Sequence, residues 1–95
     1  MVGIVIVSHS APLADSVAEM AAVMAKDVPM AAAGGLDDGS FGTSFEKISA
    51  AIESVYSDDG VLVLMDLGSA VMTTEMVLEM MPEHKVEMVD CPLVE

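Results

Sequence analysis

Arginine is absent from this 95-residue chain, and only three lysines stand against 16 acidic residues. Nucleic-acid binding needs a basic face to neutralise phosphates. A net charge of −13 excludes that class and disfavours anionic membrane surfaces for the same reason. Tryptophan is also absent and aromatics make up 3% of the chain. The core must therefore be built from Val, Ile, Leu, Ala and ten adaptable methionines, here expected as core filler. A single cysteine, Cys91, excludes an intrachain disulfide and fits a reducing compartment. No run approaches the roughly 20 apolar residues of a membrane span, and the N-terminal apolar run is too short, and lacks the basic flank, for a secretory signal. A soluble, cytoplasmic protein is expected. Neither a Gly-x-x-x-x-Gly-Lys-Ser/Thr loop nor a Gly-x-Gly-x-x-Gly turn follows any strand. The chain is thus poorly equipped to hold a nucleotide cofactor itself.

What is present is a 54% hydrophobic sequence of one-domain length. The apolar, β-branched run at residues 2–7 reads as a strand buried on both faces, and it stops at Ser8-His9-Ser10. Pro12 then suits a helix's first turn. Leu13, Val17, Met20, Ala21 and Met24 recur at helical spacing, predicting a first helix that buries this stripe and ends near Lys26, a cation suited to the C-terminal dipole. Pro29 precedes a weak second strand at residues 30–33, and residues 34–43 form a turn-rich loop that includes Asp37 and Asp38. A second helix, capped by Thr43 or Ser44, buries Phe45, Ile48, Ile52 and Val55 and ends at Ser57-Asp58-Asp59-Gly60. Val61–Met65 is a third strand. Asp66-Leu67-Gly68-Ser69 turns into a third helix that packs Ala70, Val71, Thr74, Val77, Leu78 and Met81 inward and stops at Pro82. Val86–Val89 is a fourth strand.

The order βαβαβαβ, with buried-type strands and short loops, predicts an open α/β domain spanning residues 1–95: a mainly parallel four-stranded sheet with helices on both faces. The fourth strand ends near the last residue, so its outer side is expected to be covered by a partner subunit or by further chain.

Two polar residues end two apolar strands, His9 after the first and Asp66 after the third. Open α/β sheets place their chemistry at the carboxyl ends of strands. In the order 2-1-3-4 these two ends are neighbours. The carboxylate could then accept a hydrogen bond from one imidazole nitrogen, fixing the tautomer and leaving the other lone pair to attack. The helix starts at Ser10 and at Gly68-Ser69 would offer free backbone N–H groups, a positive dipole end and a hydroxyl to an anion, as a phosphoryl group on His9 would need. Ser8 or Ser10 as a hydrolase nucleophile has poor geometry beside His9, and no nucleophile-elbow motif is present. A metal site lacks third and fourth ligands, since His84 lies in a polar turn at the opposite sheet edge, where it reads as a solvated loop residue. Asp37 and Asp38 read as turn formers. The acidic excess reads as a solvated surface like that of proteins from salt-loving hosts, or as a docking face for a basic partner.

Residues 4–10 (IVIVSHS), 35–38 (GLDD) with Gly42-Thr43, 61–70 (VLVLMDLGSA) and 91–95 (CPLVE) together resemble the DhaM family, the phosphocarrier subunits of phosphoenolpyruvate-dependent dihydroxyacetone kinase. Their EIIA domain is similar to that of the mannose-type sugar phosphotransferase system. The resemblance spans the whole chain. It implies an EIIA-mannose-like fold and a homodimer, with His9 as the phosphorylated residue and Asp66 as its hydrogen-bonded partner. It also implies a phosphoryl group delivered from phosphoenolpyruvate through enzyme I and HPr. The group would pass to ADP held by DhaL, giving ATP there, and on to dihydroxyacetone bound on DhaK, with no cofactor or metal on this chain itself. Family members usually carry a further C-terminal helix, and some fuse HPr-like and enzyme I-like domains, none of which is in this sequence. The alternatives are an EIIA subunit of a mannose-type sugar transporter and a non-catalytic regulatory module on the same fold.

Overall fold

A computed structural model of the chain describes residues 2–36, 42, 44–66, 68–81 and 84–89. The elements follow the predicted alternation: β1 (Gly3–Ser8), α1 (Ala11–Met24), β2 (Met30–Gly34), α2 (Phe45–Val55), β3 (Val61–Met65), α3 (Gly68–Glu79) and β4 (Val86–Val89). All pairings are parallel and the strand order is β2-β1-β3-β4. The chain moves outward from β1 to β2 and then back past β1 to β3. With right-handed crossovers, this reversal puts α1 on one face of the sheet and α2 and α3 on the other.

The alternation of side chains along the strands matches that division. Val5, Val7, Ala33, Val61, Val63 and Met65 pack with Ile48, Ala51, Ile52 and Val55 of α2 and Val77 of α3 in one apolar core. Ile6 is buried outside that cluster, as is Ala14 of α1. On β3, Leu62 and Leu64 are only partly buried, because α1 packs against β1 and β2. The cap of α2 is Ser44, whose Oγ accepts from the Lys47 amide at 3.3 Å; Thr43 lies outside the described residues. The inward face of α3 is as predicted for Val71, Thr74, Val77, Leu78 and Met81, while the side chain of Ala70 is outside the described set, as is Pro82. Asp37, Asp38, Cys91 and the rest of residues 90–95 also lie outside it.

Three expectations are overturned. The first concerns the buried face of α1. Leu13, Val17 and Ala21 of the predicted stripe are partly buried, but Met20 and Met24 are 71% and 86% exposed, Val23 is exposed, and the one fully buried residue of the helix is Ala14. The reason lies in β2, which offers only Ala and Gly from Ala31 to Gly34. A helix reaches such a strand through its own small residues. A Cβ built on Gly34 would stand 2.6 Å from the Ser10 carbonyl oxygen and 2.7 Å from the Ala14 Cβ. With Met72 and Met76 of α3 and Met80 just after it, five of the ten methionines (Met20, Met24, Met72, Met76 and Met80) are surface residues rather than core filler.

The second concerns the end of α1. The helix stops at Met24 with Ala25 as its cap, and no basic residue occupies its last turn. Lys26 lies beyond it, in a turn closed by the Val28 amide on the Ala25 carbonyl at 3.2 Å. Pro29 drives the residue before it out of helical geometry. The third concerns His84. It does lie at the amino edge of the sheet, but its Nε2 is 3.0 Å from Glu53 Oε1 and its ring centroid is 4.3 Å from that of Tyr56. Among the described residues, no helix is long and apolar enough to cross a membrane.

Candidate functional site

The ladder between β1 and β3 ends with Val7 paired to Met65, so the next step places Ser8-His9 beside Asp66. His9 Nδ1 lies 3.0 Å from Asp66 Oδ1. The His9 backbone N–H donates to Asp66 Oδ2 at 3.1 Å, and the Ser8 hydroxyl donates to the same oxygen at 2.7 Å. Donors thus converge on both oxygens, the pattern an ionised carboxylate accepts. A carboxylate cannot donate, so the Nδ1 of a neutral His9 carries the proton and its lone pair lies on Nε2. The side chains of His9 and Asp66 are 22% and 15% exposed, so the pair is partly shielded from solvent yet reachable at the sheet edge.

Surrounding backbone holds the pair in place. Ser10 caps α1, its Oγ accepting from the Leu13 amide at 3.3 Å, while its own amide donates to Ser8 Oγ at 3.1 Å. Ser10 is therefore adjacent to His9, with its amide turned to Ser8 rather than presented to an anion. Gly68 and Ser69 are the first residues of α3, two and three positions past Asp66, so that helix start lies at the same sheet edge. The Ser69 side chain is outside the described residues. The Gly42 amide donates to the His9 carbonyl at 2.9 Å and the Gly35 amide to the Ser8 carbonyl at 3.1 Å, which anchors both ends of the β2–α2 loop to the turn after β1. Lys47 secures that loop's start, its Nζ donating to the carbonyls of Gly34 and Leu36 at 3.0 and 3.1 Å. No group of three or more His, Cys, Asp and Glu able to hold a metal occurs among the described residues.

Sequence reasoning placed His9 and Asp66 but missed Ser8 and Lys47. Both carried a signal. Ser8 continues a strand whose neighbours are buried, and a buried hydroxyl at such a position needs a partner. Lys47 is a cation in the first turn of a helix, the unfavourable sign for the dipole there, so another interaction had to hold it.

An imidazole fixed by a carboxylate at one nitrogen can serve as a base or as a nucleophile. Comparison with known proteins narrows the choice. The family model described as PTS system fructose IIA component, EIIA-man, matches residues 3–95. The chain belongs to the EIIA-man family. Sequences similar to it include DhaM subunits. The phosphotransferase subunit DhaM of the PTS-dependent dihydroxyacetone kinase of Lactococcus lactis is 40% identical over 98% of this chain and 74% of its own length. The phosphoryl donor subunit DhaM of the phosphoenolpyruvate-dependent dihydroxyacetone kinase of Escherichia coli (strain K12) is 45% identical over 100% of this chain, which spans 22% of that relative. A crystal structure described as that of a protein of unknown function, EF1359, superposes with a TM-score of 0.81 at 35% identity, covering 99% of this EIIA-man chain and 75% of the other.

Proposed function

We propose that this EIIA-man chain is a phosphohistidine carrier that takes a phosphoryl group from HPr onto His9 and passes it to ADP held by DhaL, for the phosphorylation of dihydroxyacetone. The observation that carries the proposal is the 3.0 Å contact between His9 Nδ1 and Asp66 Oδ1, made across the ends of two adjacent strands. With Nδ1 as donor, the Nε2 lone pair attacks the phosphorus in line. A new N–P bond forms at Nε2, and the bond to the donor's nitrogen breaks with its electron pair returning to that nitrogen. The His9 ring gains positive charge while keeping its Nδ1 proton, and the Asp66 carboxylate offsets that charge at contact distance. Catalysis in such transfers is mainly positioning and charge stabilisation, and this site supplies both.

In the second step the ring is the leaving group and recovers its neutral form. The nucleotide belongs to the partner in this scheme, and no cofactor or metal is assigned to this chain. Gly68, Ser69 and the α3 dipole would face the phosphoryl oxygens, and a homodimer in the cytoplasm is part of the same proposal. The family description, a fructose IIA component, favours a second reading: an EIIA subunit serving a sugar transporter.

The test is incubation with phosphoenolpyruvate, enzyme I and HPr, followed by intact mass. The wild type is expected to gain one acid-labile phosphoryl group and His9→Ala none. Loss of the label to DhaL–ADP identifies the kinase role, and loss to a sugar-specific EIIB identifies the transporter. No gain, with donors shown active on another EIIA, leaves a regulatory module.

A further inference from the structure

Ser8 is the last residue of β1 and is fully buried. Its hydroxyl has one proton and two lone pairs. The proton goes to Asp66 Oδ2 at 2.7 Å, and a lone pair receives the Ser10 amide at 3.1 Å. The amide fixes where the hydroxyl oxygen sits and where its proton can point. The bond to Asp66 is charge-assisted and partly shielded from water, a setting that strengthens such bonds.

The geometry at Asp66 makes this bond directional. A carboxylate on a short side chain turns about two torsions. Oδ1 faces His9 Nδ1 at 3.0 Å, while Oδ2 is held by the Ser8 hydroxyl and by the His9 amide at 3.1 Å. Of the groups bonded to Oδ2 among the described residues, Ser8 makes the shorter contact and belongs to the strand, whereas the amide leads into the turn that carries the imidazole. Without the hydroxyl, the carboxylate loses its shortest hydrogen bond among the described residues, and its plane is held less firmly on the line from Oδ1 to Nδ1.

We propose that Ser8 is a positioning residue that locks the Asp66 carboxylate against His9 Nδ1 and thereby sets the imidazole tautomer with its lone pair on Nε2. Its catalytic relevance rests on the phosphocarrier proposal above; its effect on the tautomer does not. Ser8 touches neither donor nor acceptor and acts through Asp66.

The experiment is nitrogen-15 NMR of the His9 ring in the unphosphorylated full chain, with no donor present and at a pH where the ring is neutral. Wild type is expected to show a protonated Nδ1 and an unprotonated Nε2. In Ser8→Ala the ratio of this tautomer to the other is expected to fall by about tenfold, the scale of one hydrogen bond to a charged group. Ser8→Cys, close in volume but a weak donor, is expected to fall between the two and covers the case in which Ser8→Ala does not fold. A folded variant with the wild-type tautomer ratio overturns the proposal and leaves Ser8 a buried structural polar group. Phosphoryl uptake by the same samples separates the two ideas. A tautomer shift in a protein that never accepts phosphate sinks the carrier reading and spares Ser8, whereas uptake with an unmoved tautomer does the reverse.

Discussion

Asp66 acts on His9 in two ways, orienting the ring through Oδ1 and tying down the backbone of the same residue through Oδ2. Replacing the carboxylate by the isosteric amide separates shape from charge. In Asp66→Asn the amide oxygen can still accept one hydrogen bond, but it would no longer offset the charge that develops on the ring in the proposed transfer. The initial rate of phosphoryl uptake from HPr is expected to fall about 10²–10³-fold, the usual cost of one preorganised electrostatic group, with the circular dichroism spectrum unchanged. An unaltered rate would reduce Asp66 to a structural role. Thr74 shows a different residue-scale feature: its hydroxyl is buried in the core without a hydrogen-bond partner among the described residues.

Elements are placed here by side-chain size as much as by hydrophobicity. The close approach of α1 to β2 depends on Gly34, where an added Cβ meets backbone and the Ala14 methyl at under 3 Å. Gly34→Ala is expected to push the start of α1 off the sheet, destabilising the protein by about 1–3 kcal/mol in urea denaturation. On the same helix, Met24→Ala is expected to stay within about 0.5 kcal/mol of wild type, because that side chain is surface. A larger loss at Met24 than at Gly34 would restore the methionine stripe as the buried face. Ser8 to Ser10 lead directly into α1, so Gly34→Ala is also the element-scale change that disturbs the His9 turn.

At the scale of the molecule, the net charge of −13 dominates. Like charges repel more in the folded chain than in the expanded one, and salt reduces that cost by shrinking the screening length from about 10 Å at 0.1 M to about 3 Å at 1 M. Raising sodium chloride over that range is expected to raise the urea midpoint and to speed phosphoryl uptake from an anionic donor. A basic donor would show the opposite salt dependence of uptake, which makes the rate a report on the partner's charge. Single contacts such as His84 with Glu53, an ion pair only when the imidazole is protonated, contribute little against this background, since exposed pairs are worth under about 1 kcal/mol.

From the sequence alone came the βαβ alternation, the strands at Val61–Met65 and Val86–Val89, the sheet order and the identity of the two residues that end β1 and β3. All but the sheet order, which came by likeness to known α/β folds, follow from short-range patterns. A continuous β-branched run marks a doubly covered strand, and the first polar residue after it marks the edge where chemistry collects. Tertiary structure decided what those patterns leave open. The face of α1 that packs depends on the size of the side chains on β2, which no property of α1 itself encodes. The bond from Ser8 to Asp66 joins positions 58 residues apart, and the grip of Lys47 on Gly34 and Leu36 depends on where a loop returns. Periodicity says which residues are apolar together. Only the packed neighbours say which of them lie inside, and which polar groups meet.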